Sequence, residues 1–94
     1  MAANAARSSV AGSAAAVTLI AANPGRKGLI IHNDSGATLY IGLGTTTVTA
    51  SDYTYKVLGS GTYEMPLQAA SPFTGQVQGI WDSATGSARI TEVT

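Results

Sequence analysis

Gly28-Leu29-Ile30-Ile31-His32-Asn33-Asp34-Ser35-Gly36-Ala37-Thr38-Leu39-Tyr40-Ile41-Gly42-Leu43 is the stretch whose reading decides the fold. Leu29 and Ile31 fall on one side of an extended chain; Leu39, Ile41 and Leu43 do the same in the next run, with Tyr40 opposite. A period of two belongs to a half-buried strand, because successive side chains of an extended backbone point to opposite faces. Between the runs, Asn33-Asp34-Ser35-Gly36 gathers residues that bond their own backbone or accept positive φ, so the chain turns there. Two strands about such a turn predict a hairpin.

The alternation continues on both sides. Val17, Leu19 and Ala21 alternate with Thr18, Ile20 and Ala22 before the turn Asn23-Pro24-Gly25. Residues 45–50 are Thr-rich, with Val48 the one firmly apolar side chain, which suits an edge strand. Tyr53, Tyr55 and Val57 alternate with Thr54, Lys56 and Leu58; Gly59-Ser60-Gly61 turns the chain into 62–65, where Pro66 stops it. Residues 67–73 read as an irregular loop holding Pro72. Val77, Gly79 and Trp81 alternate with Gln76, Gln78 and Ile80, and after a turn at 82–86 the last strand spans 87–93. About eight short strands, with turn signals roughly every 8–12 residues, define an all-β chain: a small antiparallel β-sandwich or jelly-roll-like barrel. Residues 1–15 are Ala/Ser-rich with one charge, Arg7, and Ser8, Ser9, Gly12 and Ser13 interrupt any helix. They are expected to form a flexible or extended N-terminal arm to a β-sandwich domain at 16–94.

Composition narrows the function. The 94 residues suffice for one domain with a modest core, and the absence of cysteine removes disulfides, thiolate metal sites and cysteine nucleophiles. Charged residues are 11% of the chain, against about 25% in an ordinary domain. Five basic residues balance five acidic ones, a state that favours association over repulsion. Arg7, Arg26, Lys27, Lys56 and Arg89 are scattered, so no phosphate-binding face is expected and nucleic acid is not a partner. No apolar run approaches the 18 or so residues of a membrane span. The N-terminus lacks the apolar core of a signal peptide, which leaves the acceptor pattern Asn33-Asp34-Ser35 without weight.

Catalytic chemistry needs a nucleophile, a base and a group that orients the base. His32, the only histidine, stands beside Asp34 and Ser35 within four residues, whereas a working triad is assembled from separate segments. A strand-end histidine beside turn-forming Asp and Ser accounts for all three. Asp34, Asp52 and Asp82 sit where turns use Asp, and Glu64 and Glu92 fall on strand faces expected to be wet. Gly42-Leu43-Gly44 and Gly59-Ser60-Gly61 precede no helix and read as turns, not phosphate loops. Neither an enzyme nor a bound cofactor or metal is expected. Tyr40, Tyr53, Tyr55, Tyr63, Phe73 and Trp81 read chiefly as core or subunit-interface residues, with a glycan-stacking platform as the alternative.

Residues 21–44, AANPGRKGLIIHNDSGATLYIGLG, together with GTYEMP at 61–66 and TGQVQGIWDSATGSARITEV at 74–93, resemble a group of small virion proteins of tailed phages. The resemblance spans about residues 16–93 and lies in the order and spacing of motifs that are individually weak. It implies a β-sandwich accessory module of the particle: a head decoration, cement or fibre-type protein, on the head surface rather than the tail. The implied partners are further copies of the chain, trimers included, and the major capsid protein or another virion protein. A tail or fibre accessory, or a carbohydrate- or host-surface-binding module, is the alternative. The candidate subunit contacts are Arg7, Arg26, Lys27, Tyr53, Tyr55 and Trp81, with Arg26 and Lys27 matching the basic pair of the resemblance.

Overall fold

The computed structural model describes residues 4–65 and 72–94. Within them the chain forms β1 (Ala5–Ala11), β2 (Val17–Ile20), β3 (Gly28–Asp34), β4 (Leu39–Leu43), β5 (Tyr55–Val57), β6 (Thr62–Glu64), β7 (Val77–Trp81) and β8 (Ser87–Val93). These make two four-stranded sheets, ordered β1-β8-β3-β6 and β2-β7-β4-β5. Every pairing is antiparallel. Consecutive strands take matching positions in the two sheets, and of the connections only β4–β5 stays within one sheet. This is the strand order of a jelly roll, within the all-β sandwich class that the alternation predicts.

The core lies between the sheets. Leu29 and Ile31 of β3 and Ala88 and Ile90 of β8 face Leu39 and Ile41 of β4 and Val77 and Trp81 of β7, all of them buried. Each Val, Leu or Ile among them contributes about 1.5–3 kcal/mol by leaving water. Gly79 faces inward among them because Leu19 of β2 occupies the space a side chain would need: a Cβ there would lie 2.8 Å from its Cδ1. Gly86, at φ 66°, turns β7 into β8 where a Cβ would collide with the carbonyl of Asp34.

Three expectations need correction or relocation. First, β3 and β4 do not form a hairpin, since they belong to different sheets. Alternation reports which face a residue lies on, and both runs do face the core, but from opposite sides. The corner between them is held by the buried side chain of Asn33. Its amide donates to the carbonyls of Ala37 (2.7 Å), Val57 (3.0 Å) and Leu58 (3.2 Å), and its Oδ1 accepts from Trp81 Nε1 (3.1 Å) and Ser35 Oγ (2.7 Å).

Second, residues 45–50 form no edge strand; the segment folds back over the outer face of β4 and β7, with one isolated bridge between Thr49 and Asp52. Gln78 Nε2 holds it by donating to the carbonyls of Gly44 (2.8 Å) and Thr46 (2.9 Å). Val48 is buried against Gly42, whose missing side chain makes the room. Third, the remaining strand is β1, drawn from the residues expected as an arm. It pairs with β8 along all seven of its residues, and only Val10 is even half-buried. Of the expected loop at 67–73, residues 67–71 lie outside the described residues.

Replacing Asn33 by Ala removes a donor from the carbonyls of Ala37, Val57 and Leu58 and the acceptor of the buried Trp81 indole N–H. The expected loss is about 2–4 kcal/mol, read as a lower urea midpoint at unchanged slope.

Candidate functional site

The six candidate contact residues separate into an interior pair and a dispersed surface group. Arg26 and Trp81 are each 2% exposed, so their expected place at a subunit contact gives way to a place inside the chain's own fold. Arg26 follows the Asn23-Pro24-Gly25 turn, in which Arg26 N–H donates to the Asn23 carbonyl (3.0 Å) and Gly25 N–H to Asn23 Oδ1 (3.0 Å). Its guanidinium donates through Nε to Glu92 (2.8 Å), through Nη1 to the carbonyls of Phe73 (3.1 Å) and Gly75 (2.8 Å), and through Nη2 to that of Ala21 (2.7 Å). One side chain thereby ties the exit of β2, the approach to β7 and the end of β8. Arg suits this because its planar fork supplies several donors at fixed angles.

Glu92 was expected on a wet face, yet its side chain is 13% exposed and accepts from both Arg26 and Asn23. A signal for this was present: Glu92 shares its alternation phase with Ala88 and Ile90, both buried. A carboxylate on that face needs a cation, and the composition leaves few to choose from.

The surface group is Arg7, Lys27, Tyr53 and Tyr55. Arg7 lies on the outward face of β1 opposite Thr91. Lys27 stands at the entry to β3, its N–H donating to the Val93 carbonyl (2.7 Å). Tyr53 and Tyr55 belong to the β5 side, which touches β6 and so forms the edge of the sandwich away from β1. The structure does not bring these four together.

Nor do the two tyrosines share a face. Tyr53 packs on outward-facing Tyr40 (centroids 4.9 Å, planes at 56°). Tyr55, in register with inward-facing Ile41, packs on Tyr63 of the other sheet (5.2 Å, 49°). Tilted pairs on opposite faces of one sheet make no flat platform for a sugar ring. Leu58, 62% exposed, adds an apolar side chain to this edge.

His32, Asp34 and Ser35 take separate partners. His32 Nδ1 bonds Thr62 Oγ1 (3.0 Å), Asp34 pairs with Arg89 (3.1 Å), and Ser35 Oγ donates to Asn33 and Ala37. The Asp34–Arg89 pair is 53% and 65% exposed, a setting worth about 1 kcal/mol or less.

The sheet edges differ in a way that alternation does not report. β2 is four residues long and irregular between Thr18 and Ile20. β5 and β6 are three residues each and carry Lys56 and Glu64. Short length, a bulge and a charge are the usual protections against pairing with another strand. β1 also carries one charge, Arg7, but it is neither short nor bulged: its seven residues run in unbroken register. A shallow hollow runs between it and β8, lined by Arg7, Ser9, Arg89 and Thr91 among others.

Comparison with known proteins gave no match: no family model fits the chain, and no curated protein or solved structure aligns with it.

Two predictions follow from the buried and aromatic groups. Arg26→Ala leaves the partly buried Glu92 without its cation and takes a donor from three carbonyls, and is expected to cost about 2–4 kcal/mol in chemical denaturation; Arg26→Lys, which lacks the fork, recovers only part of that. Burial, the adjacent Asp82 carboxylate with its hydrogen bond, and Tyr53 raise Tyr40 above its ordinary 10.0. Burial and Tyr55 raise Tyr63 likewise. The folded state thus keeps these protons when the unfolded state has released them, so the stability they carry is whole below pH 10 and falls as pH rises beyond it. Tyrosinate absorbance should show Tyr40 and Tyr63 titrating later in the native protein than in denaturant.

Proposed function

We propose that this chain is a non-enzymatic structural protein that acts by docking onto other protein subunits, and that its setting is a phage particle, as a decoration or cement protein of the head. The observation that carries the docking role is the long, unbroken edge of β1 on a chain with so few charges. An open strand edge offers a row of main-chain donors and acceptors, which a strand of another subunit satisfies by extending the sheet.

Little else holds β1 in place. With six of its seven residues exposed, it gains mainly from backbone hydrogen bonds, about 0.5–1.5 kcal/mol each. Ordering the backbone costs a similar amount, about 1–2 kcal/mol per residue. A strand so balanced gains firmness when both of its sides are paired. Small Ala and Ser side chains let a second subunit approach closely, and the scarcity of charge keeps the desolvation of that contact cheap. The phage setting rests on the motif order from Ala21 to Val93, with which a small jelly roll accords; the same fold also serves lectins and cupins. Many weak contacts repeated over a lattice would supply the holding strength.

Immunogold labelling of virus particles purified from the source tests this. Dense label over the head is the expected result, and unlabelled particles would remove the virion reading. Deleting residues 1–11 should leave the far-UV circular dichroism of a folded β-protein, because the core side chains lie elsewhere, while occupancy on particles falls.

A further inference from the structure

We infer that β1 pairs antiparallel with β1 of a second copy, about a two-fold axis passing beside Ser8. This rests on the docking role proposed above and names the occupant of the edge. The hydrogen-bond phase of β1 is fixed at both ends. Asn4 exchanges backbone bonds with Thr94 (2.9 and 2.8 Å), and Gly12 N–H donates to the Gly86 carbonyl (2.9 Å). Residues in phase with these, Ala6, Ser8 and Val10, turn their main-chain groups toward β8. Ala5, Arg7, Ser9 and Ala11 therefore turn theirs to the open side, where nothing among the described residues bonds them.

An antiparallel partner must present groups of the same kind, and the sequence Ala5-Ala6-Arg7-Ser8-Ser9-Val10-Ala11 presents them to itself. With Ser8 opposite Ser8 of the partner subunit, Arg7 faces Ser9 of the partner subunit and Ala5 faces Ala11 of the partner subunit. All outward groups are then used, and Ala6 lies beside Val10 of the partner subunit. A shift of one step in one direction sets Arg7 against Arg7 of the partner subunit, a like-charge pair that is unfavourable. A shift the other way leaves Ala5 unpaired. The full-length register thus uses every outward group and avoids that charge opposition. The strand is already straightened by β8, so the added bonds require no second ordering of its backbone.

Sedimentation velocity of the full chain across a concentration series tests the pairing. The natural sequence should form dimers. Ser9→Pro removes an N–H that the subunit itself does not use, at an edge position where proline is tolerated, and should weaken dimerisation by about tenfold or more. Ser9→Lys, which keeps the backbone N–H and sets a cation against Arg7 of the partner subunit as well as against Arg89 of its own β8, should also weaken it. Adding Arg7→Glu to Ser9→Lys sets opposite charges face to face and should restore the dimer, a recovery specific to this register. A chain that stays monomeric overturns the inference, as does an oligomer indifferent to all three variants. Monomers that still label particles would sink the pairing and spare the docking role; dimers absent from particles would do the reverse.

Discussion

The buried amide of Asn33 is the interaction on which the architecture turns. A chain of 94 residues without a disulfide has to make two thin sheets adhere, and each passage between sheets takes backbone groups away from ladder partners. Asn33 sits at the first such passage out of β3 and satisfies carbonyls on three residues from two segments, while its own oxygen receives the Trp81 indole. Fixing Trp81 fixes the largest side chain of the core. A hydrophobic residue in that place would fill the volume and abandon the carbonyls. The crossing thus joins polar satisfaction at the corner to apolar burial between the sheets.

Arg26 performs the matching task at the other end of β3, where the β2–β3 turn, the approach to β7 and the end of β8 converge. Both devices spend a polar side chain on backbone carbonyls, and among the described residues no buried side-chain polar atom lacks a partner. With so few charges in the chain, committing one Arg and one Glu to the interior leaves the surface barer still. Interior order and the neutral surface are thus linked consequences of one composition.

Much of this was legible. The inward sets Leu29/Ile31, Leu39/Ile41 and Val77/Trp81 were read from alternation, because period two is a property of each strand by itself. Pairing is a property of two strands, and the local pattern around Asn33-Asp34-Ser35-Gly36 suits a hairpin and a crossing equally. Val48 misled for a related reason: an isolated apolar residue in a Thr-rich run looks like an edge strand, and its real seat exists only because Gly42, six residues earlier, leaves a gap. In β1, Ala and Ser carry no alternation to read, so its pairing with β8 is visible only in the backbone. Of the surface candidates, Arg7 belongs to the open edge, whereas Arg26 and Trp81 drew notice for chemistry that the fold uses internally.

A long, unbroken edge is ordinarily a liability, since strands can add without limit. The arrangement of the other edges answers this. In the sheet that holds β1, the far edge is β6, three residues with Glu64 and an exposed Thr62. A two-fold pairing consumes the open edge of both copies at once and is closed by its symmetry. The merged sheet then ends at β6 on either side, where length and charge discourage further addition. Three short or irregular edges and one long, regular edge are complementary features: in the proposed pairing they would permit one contact and stop the next. A chain under no demand to associate would gain from a shorter or bulged β1, as its other edges gain from short length or a bulge. β1 instead runs unbroken over seven residues, the form that the proposed two-fold contact needs.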